Sequence, residues 1–273
     1  MEQNAKAQLF RSLHERPGAF IIPNPWDAGT AVLLAGLGFE ALATTSAGLA
    51  FSLGRRDAGG ITRDEAIANV RSIVLAAPLP VSADLENGYS DDPAAAAQTL
   101  VLAAEAGAVG GSLEDATGDA ARPIYDFSLS VERVAAAAEA VKALPFPFTF
   151  TARAENFLYG KADLEETIRR LQAYEKAGAD VLYAPGLPSF EAIKEVCAAL
   201  TKPVNALAGA GHKLSIAELT AAGAKRISVG SAFNRAALGA FLRAAREIKE
   251  SGTVTFVNDC VPYAEIMALM PPA

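Results

Sequence analysis

The sequence predicts an α/β protein folded as a closed (β/α)8 barrel, a TIM barrel. Eight short and nearly all-apolar runs recur along the chain, as parallel strands buried on both faces require. Ala-rich runs with helix-start and helix-stop residues lie between them. The alternation fills about 250 residues with no linker or shift in composition to divide it. The chain therefore reads as one barrel domain, 1–273, with a short C-terminal extension over about 253–273. An open doubly wound sheet is the rival, weakened because no G-x-G-x-x-G follows the first strand.

Strands are expected at 19–23, 41–45, 80–85, 110–114, 148–153, 180–184, 203–207 and 226–229. The helix signals follow in order. Thr62 can cap a helix, with Glu65 three residues on. Asp92-Pro93 opens a helix over 94–106, with Pro at its first position. Further helices are expected at 130–144, 163–177, 189–200, 215–222 and 233–250. Gly107, Gly178 and Gly223 each follow an Ala-ended helix, where the left-handed conformation costs glycine little. The extension is expected to pack on the barrel or on a partner subunit.

Composition excludes several classes. With 51% hydrophobic and 20% charged residues there is enough apolar material to offset chain entropy, which argues against disorder. The net charge is −7 and no basic cluster occurs, so nucleic acid and anionic membrane surfaces are poor partners. No apolar run reaches the roughly 18–20 residues that span a bilayer; the greasy stretch 28–53 is broken by Gly, Thr and Ser. The N-terminus shows no signal-peptide pattern, and two distant cysteines, Cys197 and Cys260, make no disulfide framework. A cytoplasmic location is expected. His14 and His212 are the only histidines, too few for a three-histidine zinc site.

In such barrels chemistry gathers where strands end. Strand three ends in Asp84-Leu85-Glu86-Asn87-Gly88-Tyr89, strand four in Glu114-Asp115, and strand five in Arg153-Ala154-Glu155-Asn156. Asp84 and Glu86 are two apart and share a strand face, and Glu114 can approach from next door. Carboxylates crowded together resist ionisation unless a cation neutralises them. An all-oxygen set suits Mg2+, or Mn2+, with water completing the shell. Solvated loop acids are the plain alternative, which the adjacency of three acids disfavours. Thr44, Thr45 and Ser46, followed by Gly48, offer hydroxyls and amides for a carboxylate, or form an ordinary Ser/Thr turn. Arg153 suits a second substrate carboxylate, or a salt bridge to Glu155 or Glu114. Tyr89 either donates a proton near the metal or packs beside it.

These segments, with Ser52-Leu53-Gly54-Arg55-Arg56-Asp57, Leu113-Glu114-Asp115 and Ala152-Arg153-Ala154-Glu155, stand in the order of a known family. From about Phe20 to Ile248 the chain resembles the isocitrate lyase/phosphoenolpyruvate mutase superfamily. The resemblance implies a Mg2+-dependent barrel that cleaves or forms C–C or P–C bonds beside a 2-oxo acid through a metal-stabilised enolate. It implies Asp57, Asp84, Glu86 and Glu114 as the metal-centre acids, several acting through water. It implies Thr45, Ser46 and Ala47 as the carboxylate-binding segment and Arg153 as a substrate-binding arginine. Glu114 and Tyr89 join Arg153 as candidate catalytic groups, and Asp84 also touches substrate. Members commonly form tetramers, so a homo-oligomer, dimer or tetramer, is expected; Val254, Phe256, Val257 and Val261 supply apolar surface near the end.

The departures bear on the reaction. Isocitrate and methylisocitrate lyases carry a Lys-Lys-Cys-Gly-His type loop after strand four, and the mutases a Lys-x-Asn. This chain has Ala116 to Asp126 there, without Lys, Cys or Asn. Ala43 replaces the usual aromatic residue, and Glu86 stands where Asp is usual. The expected reaction is C–C cleavage of a small 2-oxo or 2-hydroxy carboxylic acid, isocitrate- or methylisocitrate-like. The alternatives are an oxaloacetate-type decarboxylase, a phosphonopyruvate hydrolase or mutase, and a non-catalytic 2-oxo acid binder.

Overall fold

The structure, a computed structural model, describes residues 1–209 and 211–270. All eight expected strands are present: β1 (Phe20–Ile22), β2 (Leu42–Ala43), β3 (Val81–Asp84), β4 (Gly110–Glu114), β5 (Thr149–Arg153), β6 (Val181–Tyr183), β7 (Val204–Leu207) and β8 (Arg226–Ser228). They pair in parallel in the order β1-β8-β7-β6-β5-β4-β3-β2. The seam between β1 and β2 has no ladder of its own. It is bridged just past the strand end by the Ala43 N–H, which donates to the Pro23 carbonyl at 3.0 Å. Asn24 reinforces it: its amide donates to the Thr44 carbonyl at 3.0 Å and accepts from the N–H groups of Val229 and Gly230. The result is a nearly closed (β/α)8 barrel.

Eleven α-helices occur among the described residues: α1 (Gln3–Glu15), α2 (Ala28–Gly36), α3 (Ser46–Ser52), α4 (Arg63–Ala76), α5 (Pro93–Glu105), α6 (Phe127–Lys142), α7 (Leu164–Ala177), α8 (Phe190–Ala198), α9 (Ile216–Ala221), α10 (Ala232–Ser251) and α11 (Tyr263–Leu269). Their starts obey local chemistry. Thr62 and Glu65 close the reciprocal cap foreseen for α4, and Asp92 accepts from the Ala95 N–H at the head of α5. Asp163, Ser189 and Ser215 cap α7, α8 and α9 in the same way. Gly107, Gly178 and Gly223 all take positive φ. The helix expected from 130 starts three residues earlier, at Phe127, with Asp126 at the cap but no side-chain bond there. Helices α1, α2, α3 and α11 were not foreseen.

The barrel interior is small and polar near its axis. Ser82, Ser112, Thr149, Thr151, Asn205 and Ser228 are all buried. The main apolar core lies outside it, between the strands and helices α5 to α8. Helix α1 plugs the N-terminal end, where Phe10, His14 and Phe20 form an edge-to-face ring cluster with centroids 4.8 to 6.3 Å apart.

The helix after β8 departs from the pattern. Among the residues of α10 only Asn234 is buried. Leu238, Phe241, Leu242 and Ile248 are exposed and fall within about 120° of one another at 3.6 residues per turn. The extension continues through a 3-10 turn at Thr255–Asp259 into α11, which returns to pack on α2, with Leu269 against Gly36. Pro271, Pro272 and Ala273 lie outside the described residues. No described helix is long and apolar enough to cross a membrane.

His14 gives the fold a pH dependence. Burial first, and then the charge of Arg226, push its pKa down to about 3 from 6.5. The folded state thus keeps His14 neutral while the unfolded chain takes up a proton below pH 6.5. This contribution makes stability fall as pH drops from 6.5 toward 3, at up to about 1.4 kcal/mol per pH unit. Denaturant unfolding of His14→Phe should lose about 2 kcal/mol less than wild type between pH 7.5 and 5. Parallel pH curves for the two proteins would contradict this.

Candidate active site

Backbone register places the acids. Glu114 of β4 pairs with Arg153 of β5, and Asp84 ends β3 beside Ser112. Side chains two residues apart on these strands point into the mouth at the C-terminal rim. Arg153 is the hub. Its Nη1 lies 2.8 Å from Asp84, its Nη2 3.0 Å from Glu114 and its Nε 2.8 Å from Glu155. Its guanidinium also stands 5.2 Å from the Tyr183 ring centroid. Burial alone would lower the arginine's pKa, but the charges of Glu155, Glu114 and Asp84 override it and hold the group charged. The salt-bridge alternative for Arg153 is therefore realised, with Asp84 as an added partner.

Asp84 is held from three sides. Its Oδ2 accepts from the Ser46 N–H at 2.9 Å, its Oδ1 meets Arg153, and its own N–H donates to Thr44 Oγ1 at 2.8 Å. Thr45 caps α3 by accepting from the Gly48 N–H at 3.3 Å. Asp57 reaches in from an exposed stretch of chain, and its pKa is raised by desolvation of the carboxyl first and then by the charge of Asp84. Thr45, Ser46, Ala47, Asp57, Asp84 and Arg153 line one cavity of about 160 Å³.

Glu86, Glu114 and Tyr89 open onto a neighbouring cavity of about 780 Å³. Glu86 and Tyr89 both sit in left-handed backbone, φ +47° and +60°, which non-glycine residues rarely adopt. Gly88 lies between them at φ +80°, where a Cβ would strike Ala96 at 2.8 Å, so the loop needs glycine there. Glu86 Oε2 accepts from the Gly59 N–H at 3.0 Å, while its buried Oε1 and the Tyr89 hydroxyl have no protein partner. Burial, then the charges of Asp84 and Asp57, push the Glu86 pKa up to about 7. Glu114 is also raised by burial, against the pull of Arg153, and Tyr89 by burial and the surrounding acids.

Five carboxylates thus face one guanidinium, and burial and mutual repulsion oppose the ionisation of four of them: Asp57, Glu86, Glu114 and Glu155. A divalent cation fits this excess of negative charge. Among the described residues no three His, Cys, Asp or Glu side chains converge as direct ligands. That spacing, with an orphaned Glu86 oxygen, suits an ion that keeps several of its waters, as Mg2+ does.

The structure adds groups that sequence reasoning passed over. Tyr159, from the loop after β5, lines the larger cavity, and Tyr183 the smaller one. Arg226 lies buried under the smaller cavity, its Nε on Asn205 at 2.9 Å and its Nη2 on Thr151 at 3.0 Å, with Nη1 unbonded. Asp115 sits behind the acids and accepts from the Glu155 N–H, Arg170 and Tyr174. Arg226 carried one signal, a charge at the head of a short buried strand. Neither cavity is lined by a cysteine or histidine among the described residues.

A TIM barrel with its ionisable groups gathered at the C-terminal rim has the arrangement of a barrel enzyme. The family model for phosphoenolpyruvate phosphomutase matches residues 10–249. The chain belongs to that family, within the isocitrate lyase/phosphoenolpyruvate mutase superfamily. A candidate lyase/mutase of Burkholderia cenocepacia is 59% identical in sequence, covering 97% of this chain and 95% of its own, with a TM-score of 0.95. An uncharacterized protein of Mycobacterium tuberculosis is 33% identical over 95% of both chains. An oxaloacetate decarboxylase of Bradyrhizobium diazoefficiens is 30% identical over 84% of this chain and 80% of its own. Superfamily members are carbon–carbon lyases and mutases, and the chain is an enzyme of that kind.

Proposed function

We propose that the chain is a Mg2+-dependent lyase, with Mn2+ as a substitute, that breaks a C–C bond in a small 2-oxo or 2-hydroxy carboxylic acid. The observation that carries this reading is the excess of buried carboxylate around Arg153, set beside a cavity of about 160 Å³ with the room of about five waters. Asp84 and Glu86 would hold the cation, with Glu114 and Asp57 behind them. When bound, the ion supplies Lewis-acid stabilisation of the negative charge that develops on the keto oxygen.

The chain's own groups do the rest. Asp84 and Glu114 hold two nitrogens of Arg153; were those acids to serve a cation, Nη1 and Nη2 would be free to take a substrate carboxylate. Glu155 keeps the Nε and so fixes the plane of the guanidinium. Thr45, Ser46 and Ala47 line the same cavity, where the Ala47 N–H and the Ser46 hydroxyl can donate to the outer carboxylate oxygen. Arg226 beneath adds positive potential that favours an anionic substrate. Tyr89 has a hydroxyl without a partner, and burial with the neighbouring acids keeps its proton in place, so it can donate a hydrogen bond to an atom that gains charge.

One observation favours a second reading. With no cysteine lining either cavity among the described residues, a route that needs a thiol acid lacks its donor; loss of CO2 from a 2-oxo diacid needs none. The similarity to an oxaloacetate decarboxylase points the same way.

Turnover of oxaloacetate, isocitrate, 2-methylisocitrate and phosphonopyruvate, each with and without EDTA, tests both readings. One substrate should yield C–C cleavage products that disappear with EDTA and return with Mg2+, and Asp84→Ala should lower the rate by more than about 100-fold. Activity indifferent to chelation would remove the cation. Thermal stabilisation by a 2-oxo acid with no product would mark a binder.

We also propose that the exposed apolar face of α10 is covered by another copy of the chain, giving a dimer or tetramer in solution. Light scattering should give a multiple of 28.3 kDa, and Phe241→Glu should lower it. A monomeric mass for the unaltered chain would contradict this.

A further inference from the structure

The loop between β3 and α5 carries Glu86 and Tyr89 in left-handed backbone, a conformation that persists only where surroundings hold it. Its carbonyls converge on one side chain from another element. Arg133 of α6 donates from Nη1 to the carbonyls of Ser90 and Asp91, at 2.6 and 2.8 Å, and from Nη2 to that of Asn87. Arg133 is 3% exposed. Its guanidinium also lies 4.3 Å from the Tyr125 ring centroid. Tyr125, at the end of the loop after β4, donates its hydroxyl proton to Asp91 and accepts from the Asn87 amide at 3.2 Å. Asn87 in turn reaches the Thr117 carbonyl and accepts the Tyr89 N–H at 3.0 Å. One guanidinium therefore locks the loop that bears Glu86 and Tyr89, and ties it to the loop after β4.

From this geometry we infer that Arg133 is a positioning residue. It fixes Glu86 and Tyr89 at the mouth through the carbonyls of their loop, with Tyr125 coupling that loop to its neighbour. The inference rests on the cation reading above. It needs arginine's fork: lysine's single ammonium can keep the charge but cannot span three carbonyls and stack on a ring. Groups that hold a metal-binding shell in place affect affinity without touching the metal, typically by 10–100-fold.

The test uses the full chain. Mg2+ alone is titrated by calorimetry into wild type, Arg133→Met, Arg133→Lys and Tyr125→Phe, and amide exchange of residues 86–91 is followed in the chelated proteins. Arg133→Met should bind Mg2+ about tenfold or more weakly. Its 86–91 amides should exchange faster while those of β3 and β4 keep wild-type protection. Arg133→Lys should recover part of both losses, and Tyr125→Phe should show a smaller loss of affinity. A folded Arg133→Met protein with wild-type Mg2+ affinity and wild-type loop exchange would overturn the inference. Should Arg133→Met fail to fold, Tyr125→Phe decides by the same two readouts. If wild type itself takes up no Mg2+, the cation reading falls, and loop exchange alone then decides whether Arg133 holds the loop.

Discussion

The structure turns on a single guanidinium shared among three carboxylates. Arg153 collects Asp84 from β3, Glu114 from β4 and Glu155 from just beyond β5, so one charge ties the ends of three adjacent strands together. Pairing buried ions in this way only offsets the cost of taking them out of water if the charges balance. Here they do not: Asp57 and Glu86 add further negative charge to the same mouth, and carboxyl groups are driven toward their neutral forms. That imbalance at the rim is the observation on which the cation proposal rests. A cation held there by Asp84 and Glu86 would supply the Lewis acid that the proposed chemistry needs.

The rest of the barrel keeps that arrangement from relaxing. Small polar side chains near the axis leave room beneath the acids, and buried arginines brace the loops from behind. Arg170 reaches Asp115, which fixes the backbone of Glu155. Arg133 gathers the carbonyls around Asn87. These side chains come from α6 and α7, so helix packing and site geometry are one problem. The strained φ values at Glu86 and Tyr89 mark where local preference has been overruled by that bracing.

Much of this was legible in the sequence, for physical reasons. Strands buried on both faces must be apolar and short, so every one of the eight was visible, with ends off by a residue or two. Caps are local, so Thr62 and Asp92 announced their helices, and the helices expected from Asp163, Ser189 and Ser215 begin one residue later with those side chains as caps. The strand-end rule brought Asp84, Glu86, Glu114 and Arg153 forward, and the structure gathers them at one rim. What stayed hidden depends on distance along the chain or on weak local signals. Helix α1 has no side-chain cap, and α2 and α3 run through a stretch dense in Gly, Ala and Thr, although Asp27 with Thr30 does form a capping box. Arg133, Arg170 and Arg226 meet partners 21 to 75 residues away, beyond any spacing rule. That Arg153 would hold three acids at once, rather than one, required the barrel's closure.

The most direct trial of the central claim is a crystal grown with excess Mn2+ and a small 2-oxo acid analogue, with the ion located by its anomalous signal. The account predicts one strong peak at the mouth, in reach of Asp84, with Arg153 turned from Asp84 and Glu114 toward the acid and its Nε still on Glu155. An undisturbed set of Arg153 contacts with no peak beside it, at saturating Mn2+, would contradict it.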